Sequence, residues 1–277
     1  MTIDAPALRR KFEGPHQLIT TSDGQTLFLR MWEPTAQTQK DSAVLIFHGI
    51  TAHSGPYSML AEPLTRRGFT VYGLDLRGHG LSDGNRGDYP SKELFIKDLC
   101  ESIAFVKARH PKLIILGHSL GVLSSVVALN NCLENIDGAV LLSGARTLRP
   151  GIYPQLSVVQ KLKIVLSSLV SPSRPVIRYE REGMVGRDDP LFNFRYTLRF
   201  MRITALSQMT FPKNMNIPAF VGVGDNDELF SVEACRDLYN EIPSQVKEFR
   251  VAAGAKHAVF PQGSWNPLMD WLEKHFS

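Results

Sequence analysis

The segment GHSLG, residues 117–121, sets one hydroxyl between two glycines. A serine hydroxyl attacks a carbonyl only when an adjacent base takes its proton and the side chain is exposed. The preceding run KLIILGH (Lys112 to His118) reads as a buried strand, and the following LGVLSSVVAL reads as a helix, so Ser119 falls at a strand-to-helix turn. Such a turn lifts a side chain above the carboxyl edge of a sheet at the cost of backbone strain. Glycines two residues to either side remove Cβ atoms that would collide there. The helix beginning at Leu120 points its unpaired N–H groups at the same spot, where negative charge is stabilised. The short pattern also fits a serine that merely caps a helix; the strand–turn–helix context favours a nucleophile.

A nucleophilic serine needs a base, and position disposes of most of the eight histidines. His16 precedes the sheet, His110 ends a helix before proline, and His275 lies in the last helix. His118 is next to Ser119 inside the turn and does not reach round to it. His79, in DLRGHGLSDG, and His48, in FHG, read as residues that hold turns and loops. His257, in AAGAKHAVF, follows the last strand at the edge where Ser119 emerges, and ligand sites of open α/β sheets gather at that edge. A histidine base also needs a carboxylate to fix its tautomer and stabilise its cation. The loop after the preceding strand, GDNDELF, offers Asp225 and Asp227. The order serine, acid, histidine is one that this arrangement uses. The G-x-G in the same segment lacks the third glycine of a dinucleotide fingerprint and comes late in the chain, which excludes a nucleotide reading.

Positioning these groups requires strands that end together. HQLITTSDGQTLFLRMWEP alternates around Asp23-Gly24 and predicts a β-hairpin. AVLIFHG, TVYGLDL, KLIILGH, GAVLLSG, PAFVGVG and EFRVA are continuous apolar runs, as expected of strands buried on both faces of a parallel sheet. Helices are predicted between them: YSMLAEPLTRRG, ending on Gly68; SKELFIKDLCESIAFVKARHP, with Ser91 as N-cap and Phe95, Leu99, Ile103 and Val106 on one stripe; then Ser119 to Asn130, Val232 to Glu241 and Ser264 to His275. The alternation predicts a mostly parallel α/β sheet with helices on both faces. It breaks once. Residues 146–213 read as a helical insertion, with helices over IYPQLSVVQKLKIVLSSLV and DPLFNFRYTLRFMRITALSQM, so the core is expected from residues 1–145 and 214–277.

The 277 residues, 43% hydrophobic and 21% charged, are those of an ordinary globular chain with no run of the roughly 18 apolar residues that cross a bilayer. The N-terminal MTIDAPALRRKFEG has no apolar stretch behind its basic residues and does not read as a signal peptide. Cys100, Cys132 and Cys235 lack metal-ligand spacing, so free buried thiols and a cytoplasmic, reducing location are expected. The insertion carries twelve Lys and Arg against four Asp and Glu, in a chain whose net charge is +4. The favoured expectation is that its first helix packs an apolar underside on the core and solvates the basic face. The sharper one is a lid that meets anionic membrane or phosphate-bearing substrates. Nothing resembles a nucleic-acid-binding motif, and no nucleic-acid partner is expected.

The chain resembles the α/β-hydrolases, and in particular their monoacylglycerol lipase and lysophospholipase branch. FHGITAHSGPYSMLAEPLTRRGFTVYGLDLRGHGLSDGNRGDY matches the long signature of that branch, GHSLG its nucleophile elbow, and DPL (Asp189 to Leu191) a motif of its cap. Its acid and histidine loops follow. The likeness is specific through about residue 145 and after 215, and loose in between. It implies an α/β-hydrolase fold with a helical cap, Ser119 as nucleophile, Asp227 as acid and His257 as base. Asp227 is preferred to Asp225 because the branch sets its aspartate three residues after the glycine, here Gly224. An oxyanion hole from the backbone N–H groups of Ile50 and Leu120 is implied too, although Thr51 stands where the branch often has a second glycine. His53, and from the cap Leu156, Val159 and Leu162, are the substrate-pocket candidates; for His53, packing of its own loop is the favoured role. The implied activity is cleavage of carboxylic esters, monoacylglycerols or related lipid esters, through an acyl-enzyme and with no metal or organic cofactor. Lysophospholipase, general carboxylesterase or thioesterase activity, or a non-catalytic ligand-binding protein on this scaffold, are the alternatives. Ser119 argues against relatives that need aspartate or cysteine at the elbow.

Overall fold

The computed structural model describes residues 3–152, 156–181 and 183–277. Helix α1 (Ala5–Arg10) leads into a hairpin of β1 (His16–Thr20) and β2 (Thr26–Trp32), whose turn places Gly24 at φ +82°. β3 (Ser42–Phe47), α2 (Ser58–Arg66), β4 (Thr70–Leu74), α3 (Lys92–Lys107), β5 (Lys112–His118), α4 (Leu120–Asn131) and β6 (Gly138–Leu142) follow in alternation. After β6 come α5 (Val158–Val170), the short strands β7 (Ile177–Arg178) and β8 (Arg195–Tyr196), and α6 (Leu198–Ile203). The chain then returns through β9 (Ala219–Gly224), α7 (Val232–Asn240), β10 (Lys247–Ala252) and α8 (Asn266–Phe276).

Eight strands form one sheet in the order β1-β2-β4-β3-β5-β6-β9-β10, parallel from β4 to β10 and antiparallel at the hairpin edge. This is the mostly parallel sheet that the alternation of strands and helices led one to expect, in the α/β-hydrolase architecture that the resemblance implied. Side chains alternate along each strand, so an apolar strand feeds two layers at once. Ala43, Leu45 and Phe47 of β3 pack with the Phe95, Leu99, Ile103 and Val106 stripe of α3 and with Leu123 and Val126 of α4. Val44 and Ile46 of the same strand face the opposite layer, with Leu60 and Leu64 of α2 and Leu268, Leu272 and Phe276 of α8. The α3 N-terminus is capped by Ser91, whose Oγ accepts from Leu94 N–H at 3.2 Å. The carboxyl ends of β3, β5, β9 and β10 open on the same edge, and the chain between β6 and β9 crosses over it.

Three expectations are corrected. Cys100 and Cys132 are not free: they form a disulfide, with Cα atoms 5.8 Å apart. Cys100 lies in α3 and Cys132 closes α4, and the side-by-side packing of those helices is a long-range event that cysteine spacing does not encode. Only Cys235 is a free buried thiol among the described residues, and the expectation of a reducing compartment loses the support of the other two. Secondly, DPLFNFRYTLRFMRITALSQM is not one helix. Thr197 is extended (φ −76°, ψ 157°) and its Oγ caps Phe200 N–H at 3.1 Å, so helix begins only at Leu198. Tyr196, fully buried, donates its hydroxyl to Ile50 C=O at 2.6 Å, and Asn193 N–H donates to Thr51 C=O at 2.9 Å, tying the segment to the β3 loop as an extended strand. Thirdly, α5 has no buried residue, so its apolar side does not pack on the core. The start of that expected helix at Tyr153–Gln155 lies outside the described residues.

Candidate active site

Ser119 sits between β5 and α4 at φ +58°, ψ −118°, a conformation that costs an L-residue energy and persists only where its surroundings enforce it. The enforcement is steric. A Cβ on Gly117 would run into the backbone of Gly121, and one on Gly121 would run into the carbonyl of Phe47 at the end of β3. The close approach of β5, α4 and β3 therefore fixes both glycines and leaves Ser119 pointing out of the carboxyl edge.

His257 arrives from the loop after β10, and its Nε2 lies 3.0 Å from Ser119 Oγ. Its Nδ1 lies 3.0 Å from Asp227 Oδ2, in the loop after β9. Asp227 Oδ1 accepts from Leu229 N–H at 2.8 Å and Phe230 N–H at 2.9 Å. Burial pushes the Asp227 carboxyl up, but the bonds from His257 and the two amides outweigh it, and the net shift is downward. An ionised Asp227 accepts the Nδ1 proton, which leaves Nε2 bare to accept from the Ser119 hydroxyl. Asp225, the other candidate, is exposed and accepts from Gly254 N–H at 2.7 Å; it braces the histidine loop without facing the imidazole.

Gly49 and Ile50 pass directly across from the serine. The Gly49 carbonyl accepts from His48 Nδ1 at 2.8 Å and Ala52 N–H at 3.1 Å. Because a peptide unit is planar and trans, the Ile50 N–H points the opposite way from that carbonyl. The Ile50 carbonyl is in turn held by Tyr196 Oη at 2.6 Å and lies 3.1 Å from His79 Nε2. His48 Nε2 accepts from Leu76 N–H at 3.1 Å, so the ring is neutral; burial pushes its pKa down to about 4. Leu120 is the first residue of α4, where helical geometry gives its N–H no intrahelical acceptor.

These groups open on a cavity of about 650 Å³ lined by Ile50, Ser119 and His257. Met59, Met184, Val185, Phe192, Leu229 and Phe260 make apolar wall, and Arg181, Glu228 and Lys256 bring charge to it. Leu156, Val159 and Leu162 are not in that lining; they are 42%, 60% and 57% exposed on the outer side of the insertion. His53 stands behind the rim, buried, with Nε2 2.9 Å from Asp189 Oδ2, and so ties the β3 loop to the insertion. Sequence reasoning missed Glu228, which accepts from His257 N–H at 3.0 Å and from Arg181 Nη2 at 3.0 Å. Its only signal was adjacency to Asp227. Among the described residues no group of three or more His, Cys, Asp or Glu side chains is placed to hold a metal ion.

Set beside known proteins, residues 38–262 match the family model described as serine aminopeptidase, S33. The chain belongs to that family of α/β-hydrolases, in its monoacylglycerol-lipase-like branch. It is 28% identical over 272 residues to a monoacylglycerol lipase of Mycolicibacterium smegmatis, covering 91% of this chain and 94% of the relative. It is 26% identical over 257 residues to the monoglyceride lipase of Rattus norvegicus, covering 88% and 83%. The crystal structure of a Paleococcus ferrophilus monoacylglycerol lipase shares the fold with a TM-score of 0.71 at 24% identity, over 90% of this chain and 99% of that one.

Proposed function

We propose that the protein hydrolyses carboxylic esters through a Ser119 acyl-enzyme, with monoacylglycerols or related lipid esters as substrates. The observation that carries this is the unbroken run Ser119–His257–Asp227, with both links at 3.0 Å, opening on a largely apolar cavity. His257 takes the Ser119 proton as the hydroxyl attacks the ester carbonyl, and Asp227 stabilises the imidazolium. The N–H groups of Ile50 and Leu120 receive the oxyanion, each such donor being worth about 3 kcal/mol of barrier. His257 then protonates the leaving alcohol and activates water to release the acid. The apolar wall suits an acyl chain, and the charged side chains of Arg181, Glu228 and Lys256 suit a hydroxylated leaving group.

The test is turnover of a panel of monoacylglycerols, lysophospholipids, triacylglycerols and acyl-thioesters by wild type and Ser119→Ala, alongside fluorophosphonate labelling. Labelling and monoacylglycerol turnover are expected for wild type alone, with kcat lowered about 10⁶-fold by the substitution. An optimum at acetyl esters in a chain-length series contradicts the lipid reading.

Helix α5 supports a peripheral membrane partner. Leu169 and Val170 are 74% and 88% exposed, and Lys161 and Lys163 flank the same apolar side. An apolar face bordered by lysines partitions into an anionic interface. Cosedimentation with phosphatidylserine vesicles is expected to weaken with salt and on Lys161→Glu/Lys163→Glu; equal binding to neutral vesicles refutes it.

A further inference from the structure

Tyr57 and His118 are buried beside the active site, and no proton transfer of the proposed mechanism passes through them. The polarity of the hydrogen bonds joining them follows by elimination. Gly49 N–H can only donate, and it does so to Tyr57 Oη at 2.8 Å. The backbone carbonyl of His257 can only accept, so His118 Nε2 holds the neutral ring's one proton and donates to it at 2.8 Å. The bare Nδ1 accepts from the Tyr57 hydroxyl, 2.9 Å away. Burial, more than the nearby His257, pushes the His118 pKa down to about 3, in keeping with a neutral ring of one tautomer.

The ends of this chain are the two groups whose placement the chemistry requires. At one end, Gly49 is pinned at its N–H by Tyr57 and at its carbonyl by His48 and Ala52, which sets the direction of the Ile50 N–H. At the other end, His257 is pinned at its carbonyl by His118 and at its N–H by Glu228. His118 itself is the last residue of β5, next to the nucleophile.

We propose that Tyr57 and His118 are positioning residues that hold the Ile50 oxyanion donor and the His257 base in register across the elbow. The inference rests on the ester-hydrolase reading above. It makes the relay matter most in the transition state, when charge sits on the oxyanion and on the imidazole together. A misplacement of about 1 Å in such a constellation lowers rate about 100-fold.

The experiment uses Tyr57→Phe, which removes one oxygen and keeps the ring, and His118→Asn, which keeps an acceptor near Tyr57 and drops the bond to His257. Turnover of a soluble butyrate nitrophenyl ester is measured per active site titrated with a fluorophosphonate. Each variant is expected to lose about 10- to 100-fold in kcat with KM nearly unchanged. Affinity for a phenylboronic acid, which forms a tetrahedral adduct on the serine, falls by a similar factor. The double variant loses no more than the worse single one, because both cut the same chain. Wild-type kcat per titrated site, a loss confined to the number of titratable sites, or effects that multiply in the double variant would each overturn the proposal. A ¹⁵N spectrum of the wild type adds a readout independent of variant folding: His118 is expected neutral and Nε2-protonated from pH 5 to 8, and the other tautomer or a cation overturns the relay. A wild type that no fluorophosphonate labels removes the ester-hydrolase reading itself, and the relay's role with it.

Discussion

Asp227 uses its two carboxyl oxygens differently: Oδ1 takes the N–H groups of Leu229 and Phe230, and Oδ2 takes His257 Nδ1. That division predetermines what Asp227→Asn does. The amide oxygen stays with the two backbone donors, so the NH₂ turns to His257 and donates to Nδ1. The imidazole is then forced to carry its proton on Nε2, where it no longer accepts from Ser119. A loss of about 10⁴-fold in kcat is expected with substrate binding retained, read as kcat and KM on one soluble ester. Gly121 poses a steric constraint of the same local kind. A Cβ there meets the Phe47 carbonyl, which the β3 strand cannot withdraw without breaking its ladder. Gly121→Ala is expected to lower unfolding free energy by about 3 kcal/mol, the upper end of an overpacked core site, in urea titration. The spacing of Gly117, Ser119 and Gly121 was legible in the sequence because all three lie on one local turn. The roles of Tyr57 and His118 were not, because each is defined by a partner far along the chain.

Among the elements, α3 and α4 are joined by the Cys100–Cys132 disulfide across a separation of 32 residues. Closing a loop of that size removes denatured-state entropy equivalent to about 4 kcal/mol in the chain-entropy model. Cys100→Ala is expected to lose about that much in urea unfolding, and the same loss is expected of wild type with a reductant present. Insensitivity to both contradicts a bonded pair. The disulfide also strengthens the layer under the elbow, since α4 begins at the residue after Ser119. Helix α5 differs from every helix of the core layers in leaving its apolar residues outside. Its capping box, with Ser157 and Gln160 bonding reciprocally, starts the helix without help from tertiary packing. The apolar pattern told correctly that a helix forms there, and told nothing of what its face meets.

The molecule as a whole buries His48, His79 and His118 at the carboxyl edge, and burial holds all three below the ordinary histidine value of 6.5. The unfolded chain therefore takes up these protons first as pH falls. Stability is fully present above about pH 6.5 and is lost as pH falls toward the folded values, about 4 for His48 and about 3 for His118. Near pH 5, with about two more protons bound by His48 and His118 on unfolding, the slope is expected to be about 3 kcal/mol per pH unit, and His79 adds in the same direction. Urea unfolding from pH 5 to 8 checks this, and a flat profile contradicts it. These rings hold the loops after β3, β4 and β10, so partial acid opening is expected first at the active-site edge.

The sequence by itself determined what depends on neighbours along the chain. Alternating apolar strands and helices specified a parallel sheet, glycine spacing specified the elbow, and Asp23-Gly24 specified the hairpin. The order of loops placed Ser119, His257 and an acid, Asp225 or Asp227, at one edge, because parallel strands end on the same side; the resemblance favoured Asp227, and the structure sets its Oδ2 3.0 Å from His257 Nδ1. Tertiary structure alone decided what depends on contact between distant segments. Thr197 and Tyr196 broke an expected helix because a buried hydroxyl was bonded to the β3 loop. Two cysteines became a disulfide because α3 and α4 lie side by side. Leu156, which precedes α5, and Val159 and Leu162 within it fell outside the cavity, because periodicity gives a helix an apolar face and does not say what that face meets. Hydrogen bonds and covalent links between remote residues leave no local trace in the spacing of a sequence, whereas steric limits on adjacent residues do.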